Sequence, residues 1–125
     1  MSAANGVRAQ VVLLVEDEFL VRYDVATCLQ EAGYVIVETA SGEEAIEFCK
    51  SGMSIDIVFT DIDLVGSASG WDVAEYFRKD RPGVPVLYTS GKLTDRQRCV
   101  PGSAFVTKPY HSTDVLSACR RLCTK

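Results

Sequence analysis

Carboxylates follow two of the short apolar runs in this chain, at the points where those runs end. Glu16 and Asp17 come after QVVLLV, and Asp61 and Asp63 come after IDIVFT. Carboxylates gathered within a few ångströms raise one another's pKa unless a cation neutralises them. Mg²⁺ is the natural partner because it takes one or two carboxylates together with water and a phosphate. If these side chains meet in the fold, their types indicate a magnesium site and chemistry on a phosphoryl group.

Hydroxyls and a lysine stand at the ends of two further apolar runs. Thr89 ends the run VPVLYT and Ser90 directly follows it, and Lys108 directly follows AFVT. Lys108 could equally be a solvated loop lysine, and acidic residues after a strand could simply favour the first turn of a helix. Asp61 is harder to explain in this way, because a lone Asp at the end of an apolar strand costs desolvation free energy. Polar groups after four separate runs favour a common site.

Five short apolar or β-branched runs predict the strands that would position these groups. Continuous apolar runs of this length are typical of strands buried on both faces, as in a parallel sheet covered by helices. The predicted strands are residues 10–15, 34–37, 55–60, 84–89 and 104–107.

Helical spacing of apolar residues predicts a helix between successive strands and another after the last. In the first helix the apolar residues, Leu20 and Tyr23 among them, recur near helical spacing. Ser41 and Glu44 have the spacing of a capping box, which predicts the start of the second helix. The predicted helices are residues 19–32, 42–49, 71–79, 94–99 and 112–123.

Strand–helix alternation with short connections predicts right-handed crossovers and a parallel sheet with helices on both faces. The fold class is therefore α/β, a single doubly wound three-layer sandwich. In open sheets of this kind, ligands bind at the carboxyl ends of the strands. The polar groups that end the strands are thus expected to share one edge.

Composition and charge exclude several classes of function. The 125 residues carry a formal net charge of −4, and the pI near 4.9 argues against a nucleic-acid partner. No apolar run approaches the roughly 20 residues that span a bilayer, and residues 1–10 lack the apolar core of a secretory signal. Five cysteines, an odd number without a CxxC pair, do not suggest a disulfide framework. We therefore expect a cytoplasmic protein with no membrane partner.

The order and spacing of these motifs resemble the receiver domain of bacterial two-component response regulators, over residues 8–124. The matching pieces are VVLLVEDE, IVFTDIDL, the Gly70 that opens the third helix, PVLYTSG and FVTKPY. The resemblance implies a flavodoxin-like (βα)5 fold with a five-stranded parallel sheet in the order 2-1-3-4-5. Residues 1–7 would be a flexible N-terminal segment, and no output domain is expected within these 125 residues.

The resemblance also implies roles for the acidic residues and the lysine. Asp61 would be the phosphoacceptor, which takes the phosphoryl group from a histidine kinase or a histidine phosphotransfer protein. Mg²⁺, or Mn²⁺ in its place, would be held by Asp17, Asp61 and the backbone carbonyl of Asp63, with Glu16 in support. Lys108 would pair with Asp61 at rest and with a phosphoryl oxygen afterwards.

Further implied roles concern the switch between the two states. Ser90 would be the switch hydroxyl, since it lies five residues after the proline of the fourth strand, with Thr89 as the alternative. Phe105 matches the aromatic residue whose rotamer follows the switch, although it could simply be a buried strand residue. The Lys108–Pro109 peptide is expected to be cis.

Phosphorylation is expected to reshape the face formed by the fourth helix, the fifth strand and the fifth helix. This face would control a downstream protein or an attached domain, or form a dimer. The chain would phosphorylate and dephosphorylate only itself, so we do not expect an enzyme with turnover.

Two alternatives stay open, and one departure from the family pattern is present. Asp61-Ile62-Asp63 has the D-x-D form of haloacid-dehalogenase phosphatases, although in that family the motif follows the first strand. A pseudo-receiver without the chemistry is disfavoured by the joint presence of the predicted site residues. The loop from Asp61 to Gly70 is one residue longer than the commonest pattern, which predicts altered access to the site.

Overall fold

The structure, a computed structural model, describes residues 8–92 and 98–123. The predicted segment 1–7 and most of the predicted helix at 94–99 lie outside these ranges. No helix within the described ranges is both long and apolar enough to cross a membrane. The elements are β1 (Val11–Val15), α1 (Phe19–Glu31), β2 (Val35–Thr39), α2 (Gly42–Lys50), β3 (Ile57–Asp61), α3 (Gly70–Asp80), β4 (Val86–Ser90), β5 (Ala104–Thr107) and α4 (Ser112–Cys123).

The five strands form one parallel sheet in the order β2-β1-β3-β4-β5, which confirms the predicted topology. β1 lies between β2 and β3, and this is the point where the chain reverses its direction of winding. The register aligns Val15 of β1 with Thr60 of β3, and Asp61 of β3 with Thr89 of β4. The carboxyl ends of the central strands therefore come level at one edge of the sheet.

Helices cover both faces of the sheet, which explains why its strands read as continuous apolar runs. Leu13 and Val15 of β1 pack on the side of α2 and α3, whereas Val12 and Leu14 pack on the side of α1 and α4. All five residues of β3 and of β4 are buried. The result is the expected three-layer sandwich, with one apolar core on each face of the sheet.

Several strands begin and end later than the apolar runs predict, and the difference matters at the site. Asp61 is the last residue of β3 and Ser90 the last of β4, whereas both were predicted to follow a strand. Pairing continues past the apolar run because the backbone still finds partners: Ile62 N donates to Thr89 O at 2.9 Å. β3 also starts later, at Ile57, and Asp56 just before it contacts Val11 twice: the Asp56 backbone N–H donates to Val11 O and the Asp56 carboxylate accepts from Val11 N. Asp61 and Ser90 are thus held by the sheet itself.

The start of α2 follows its sequence signal with one change. Ser41 is the N-cap and its hydroxyl accepts a hydrogen bond from Glu44 N at 3.1 Å. The Glu44 carboxylate reaches back to Ala40 N rather than to Ser41 N. One half of the predicted capping box is therefore present, and the other half is shifted by one residue.

Candidate functional site

Three carboxylates meet at the carboxyl edge of the sheet. Glu16 directly follows β1 and Asp61 ends the neighbouring β3, so the sheet brings them side by side. One ligand oxygen from each of Glu16, Asp17 and Asp61 lies within 4.8 Å of the other two. Glu16 and Asp61 are buried, and Asp17 is half-buried. The cluster offers hard oxygen donors close enough to share one small divalent cation.

Lys108 reaches this cluster from the residue after β5. Its Nζ donates to Asp61 Oδ2 at 2.7 Å and lies 4.0 Å from Glu16 Oε1. Burial by itself lowers the pKa of Lys108, but the hydrogen bond and the charge of Asp61 outweigh it, so the pKa is raised overall. The ammonium therefore stays charged against Asp61. The Lys108–Pro109 peptide that follows is cis, as predicted.

The pKa of Glu16 is raised to about 7, mainly by burial and to a smaller degree by the neighbouring charge of Asp61. The hydrogen bond from Glu18 N at 3.0 Å and the charge of Lys108 act in the opposite direction without cancelling the effect. A single ammonium thus leaves the cluster with excess negative charge. A buried set of oxygen donors with excess negative charge fits a divalent cation.

The raised pKa of Glu16 predicts a pH-dependent stability for the metal-free protein. The folded state holds the Glu16 proton more tightly than the unfolded chain does, so stability should fall as pH rises from 4.5 to about 7. The Glu16 contribution should be about 3 kcal/mol across this window, because a pKa difference of one is worth about 1.4 kcal/mol. Urea unfolding with a chelator present, at several pH values, should show this slope in the wild type and a flatter one in Glu16→Gln. Parallel profiles for the two proteins would contradict the assignment.

The structure separates the two predicted switch hydroxyls. Ser90 Oγ donates to Asp63 Oδ2 at 2.8 Å, and Asp63 N donates to Asp61 Oδ1 at 3.0 Å. Successive side chains of a strand alternate in direction, and the Thr89 hydroxyl is buried with no hydrogen-bond partner within the described ranges. Ser90 is therefore the hydroxyl that connects to the acidic cluster. Phe105 is half-buried on β5, with its ring centroid 6.4 Å from that of the buried Tyr88 on β4.

The longer loop between β3 and α3 is fastened at two points, one in the carboxylate cluster and one on α2. Val65 N donates to Asp17 Oδ2 at 2.9 Å. Further along, Ser67 N and Ser67 Oγ both donate to Glu43 Oε2 at 2.8 Å. Gly66 between them has a φ of 115°, which favours glycine. Glu43 was not predicted to take part, and its sequence signal was no more than an acid in the first turn of a helix.

Gly70 allows α3 to start directly against the phosphoacceptor candidate. A Cβ at this position would lie 2.2 Å from Asp61 O and 2.7 Å from Ile62 Cα, so no other residue fits without a backbone shift. Ser69 caps the helix, and its hydroxyl and the Asp72 carboxylate form a full capping box. The start of α3 thus fixes the backbone that carries Asp61.

An apolar surface flanks the site on the side of α1. Phe19, Leu20 and Tyr23 are 62%, 77% and 60% exposed, although Leu20 and Tyr23 recur at the helical spacing that usually marks a packed face. A cavity of about 570 Å³ lies beside Leu20 and is also lined by Lys108 and Tyr110. Large apolar side chains that stay exposed next to a charged cluster are typical of an interaction surface.

Comparison with known proteins identifies the family. Residues 12–120 match the response regulator receiver domain. The chain is 33% identical over 119 residues to sensor kinase CckA of Brucella abortus, covering 91% of this chain and 12% of CckA. A response regulator receiver protein of Sinorhizobium medicae is 35% identical with a TM-score of 0.88, covering 92% of this chain and 94% of that one. TrrA of Thermotoga maritima, solved in complex with Mg²⁺-BeF, is 26% identical with a TM-score of 0.81, covering 90% and 98%.

The match includes β2 to β5 entirely, β1 apart from Val11, and most of every described helix. The chain spans about half, or less, of the length of the curated relatives it matches. The similarity therefore concerns one domain of those longer proteins. On this basis the chain belongs to the response regulator receiver domain family of two-component systems.

Proposed function

We propose that Asp61 accepts a phosphoryl group from a phosphohistidine of a histidine kinase or a histidine phosphotransfer protein, in a Mg²⁺-dependent reaction. The observation that carries the proposal is the arrangement around Asp61. Its carboxylate meets Lys108 Nζ at 2.7 Å and shares a 4.8 Å cluster with Glu16 and Asp17. The proposed nucleophile, the Lys108 ammonium and a set of possible metal ligands thus lie at one edge of the sheet.

The proposed transfer is a nucleophilic substitution at phosphorus. An Asp61 carboxylate oxygen forms a new P–O bond while the P–N bond of the donor breaks, and its electron pair stays with the imidazole nitrogen. Phosphoryl transfer depends mainly on positioning and on neutralising the charge of the phosphoryl oxygens. Lys108 pairs with Asp61 at rest and is close enough to follow this charge onto a phosphoryl oxygen.

The residues present fit a divalent cation. Asp17 and Asp61 would hold Mg²⁺, or Mn²⁺ in its place, with the backbone carbonyl of Asp63 as a further ligand and Glu16 in support. When bound, the cation supplies positive charge to the carboxylates and to the phosphoryl oxygens. The complex of TrrA with Mg²⁺-BeF supports this assignment by similarity.

The experiment that tests the proposal follows radiolabel from a phosphorylated histidine kinase to this chain in the presence of Mg²⁺. We expect one phosphoryl group per chain, held as an acyl phosphate that hydroxylamine releases. A phosphatase of the haloacid-dehalogenase type would instead release phosphate from added phosphoesters with repeated turnover, and a pseudo-receiver would take no label from any donor. The D-x-D motif follows β3 rather than the first strand, which disfavours the phosphatase.

The apolar surface on α1 is the proposed contact for the protein donor, because it lies beside the site that a donor histidine must reach: Leu20 and Lys108 line the same cavity. Leu20→Ala and Tyr23→Ala should slow transfer from a phosphorylated kinase by about tenfold, since truncation of exposed anchor residues costs on the order of 1–2 kcal/mol. Initial transfer rates at limiting kinase concentration measure this loss.

Labelling by acetyl phosphate should stay unchanged in both α1 variants, because a small donor does not need the surface. Met53→Ala is the matched control, since Met53 is a 54% exposed apolar residue in the loop that precedes β3, at the opposite edge of the sheet. Equal losses with both donors would show that the variants act on the site rather than on docking.

The output is proposed to pass through the surface around β5. Thr107 of β5 pairs with Ser90, and the ring of Phe105 lies beside Tyr88 on β4. A displacement of Ser90 is thereby connected to β5 and to the neighbouring α4. This face would then contact a downstream protein, an attached domain or a second copy of the chain.

A further inference from the structure

The switch hydroxyl already has an acceptor in this structure. Ser90 Oγ donates to Asp63 Oδ2 at 2.8 Å and accepts a hydrogen bond from Lys92 N at 3.2 Å. A serine hydroxyl carries a single hydrogen. While that hydrogen points at Asp63, it is not available to any other acceptor.

The backbone of Asp63 contacts the site directly, whereas its carboxylate is partly exposed to solvent. Its N–H donates to Asp61 Oδ1 at 3.0 Å, which ties the residue to the phosphoacceptor itself. Its side chain is 43% exposed, and Oδ1 lies 3.9 Å from Lys92 Nζ. The carboxylate can therefore leave Ser90 and still meet a cation, without any change in how its backbone contacts Asp61.

We propose that Asp63 is a positioning residue that competes with the phosphoryl group for the Ser90 hydroxyl, and thereby sets how strongly the phosphorylated state is stabilised. The inference rests on the proposed function of Asp61. At rest, the hydroxyl hydrogen bonds to Asp63. In the phosphorylated state it bonds to a phosphoryl oxygen, and the released carboxylate pairs with Lys92.

Asp63 affects an incoming phosphoryl group in two ways, which substitutions can separate. Its negative charge repels the group, and its oxygen occupies the Ser90 hydroxyl. Asp63→Asn removes the charge but keeps an acceptor oxygen, and Asp63→Ala removes both. In a Ser90→Ala background the repulsion is still present, whereas the competition is absent. The effect of an Asp63 substitution on affinity, compared between the Ser90 and the Ser90→Ala backgrounds, therefore measures the competition alone.

The test is the binding of beryllofluoride, a stable analogue of the phosphoryl group, followed by fluorine NMR at saturating Mg²⁺. In the Ser90 background, Asp63→Ala should tighten binding by about three- to tenfold more than it does in the Ser90→Ala background, as expected for one hydrogen bond. The affinity of Asp63→Asn for beryllofluoride should lie between those of the wild type and Asp63→Ala. Equal changes in the two backgrounds would overturn the competition while leaving the proposed function intact.

A second measurement examines the resting state without metal or analogue. The Lys92 backbone amide donates to Ser90 Oγ, so its nitrogen–proton NMR signal reports where that oxygen lies. The signal should shift in Asp63→Ala and stay close to its wild-type position in Asp63→Asn. An unchanged signal in Asp63→Ala would overturn the proposal, because Ser90 would then be held by something other than Asp63. Failure of the wild type to bind beryllofluoride would instead overturn the proposed function.

Discussion

Asp61→Asn should reduce phosphoryl incorporation by more than about 10³-fold, because an amide oxygen is a poor nucleophile and no other carboxylate occupies its position. The substitution keeps the shape of the side chain and an acceptor for Asp63 N, which donates to Asp61 Oδ1 at 3.0 Å. The fold should therefore survive. The measurement is radiolabel transferred from a phosphorylated kinase, and separately from acetyl phosphate, at equal protein and Mg²⁺ concentrations.

The matched control for this experiment is Asp63→Asn. It removes the same charge two residues away and leaves the nucleophile in place, so it should still take up label. Retention of label at the wild-type level in Asp61→Asn would overturn the assignment of the phosphoacceptor. Loss of label in both variants, with urea unfolding unchanged, would point to a general effect of charge at this edge of the sheet.

The layers of the fold could be predicted from the sequence because both faces of the sheet are covered. Continuous apolar runs such as IVFT of β3 report burial on two sides, and that pattern needs no knowledge of distant contacts. The strand order, in contrast, came from the resemblance, because apolar runs do not state which strands are neighbours. The ends of β3 and β4 were misplaced because Asp61 and Ser90 are polar yet still paired in the sheet.

Periodicity was also insufficient for α1. Leu20 and Tyr23 recur near helical spacing, but both side chains are exposed. A repeat of 3.6 residues shows which residues share a side of a helix, and it does not show whether another element covers that side. The surface proposed to contact the donor therefore belongs to a sequence pattern that ordinarily indicates a core.

The groups gathered at the site could be predicted from strand ends, whereas the contacts between them could not. Glu16, Asp61 and Lys108 meet because parallel strands end at one edge. The contacts of Ser90 with Asp63 and of Ser67 with Glu43 depend on the path of the loop after β3, which has no periodic signal. The resemblance predicts the general arrangement of the site, and the loop adds contacts that are particular to this chain.

Asp17→Asn should weaken the apparent affinity for Mg²⁺ by about 10- to 100-fold, because it removes one of the three clustered carboxylates while keeping an oxygen of the same shape. Labelling should then need far more Mg²⁺ to reach half of its maximal rate, and saturating Mg²⁺ should restore much of that rate. Initial rates of labelling by acetyl phosphate over a range of Mg²⁺ concentrations give the shift, and calorimetric titration of Mg²⁺ gives it without the reaction.

Asp17 has a second role that the control must separate, since its Oδ2 accepts the hydrogen bond from Val65 N in the loop after β3. Glu43 fastens the same loop through Ser67 and does not belong to the carboxylate cluster. Glu43→Gln should therefore loosen the loop to a similar degree and leave the dependence on Mg²⁺ unchanged. An equal shift in both variants would mean that the position of the loop governs metal affinity. A shift confined to Asp17→Asn would mean that the Asp17 carboxylate itself binds the cation.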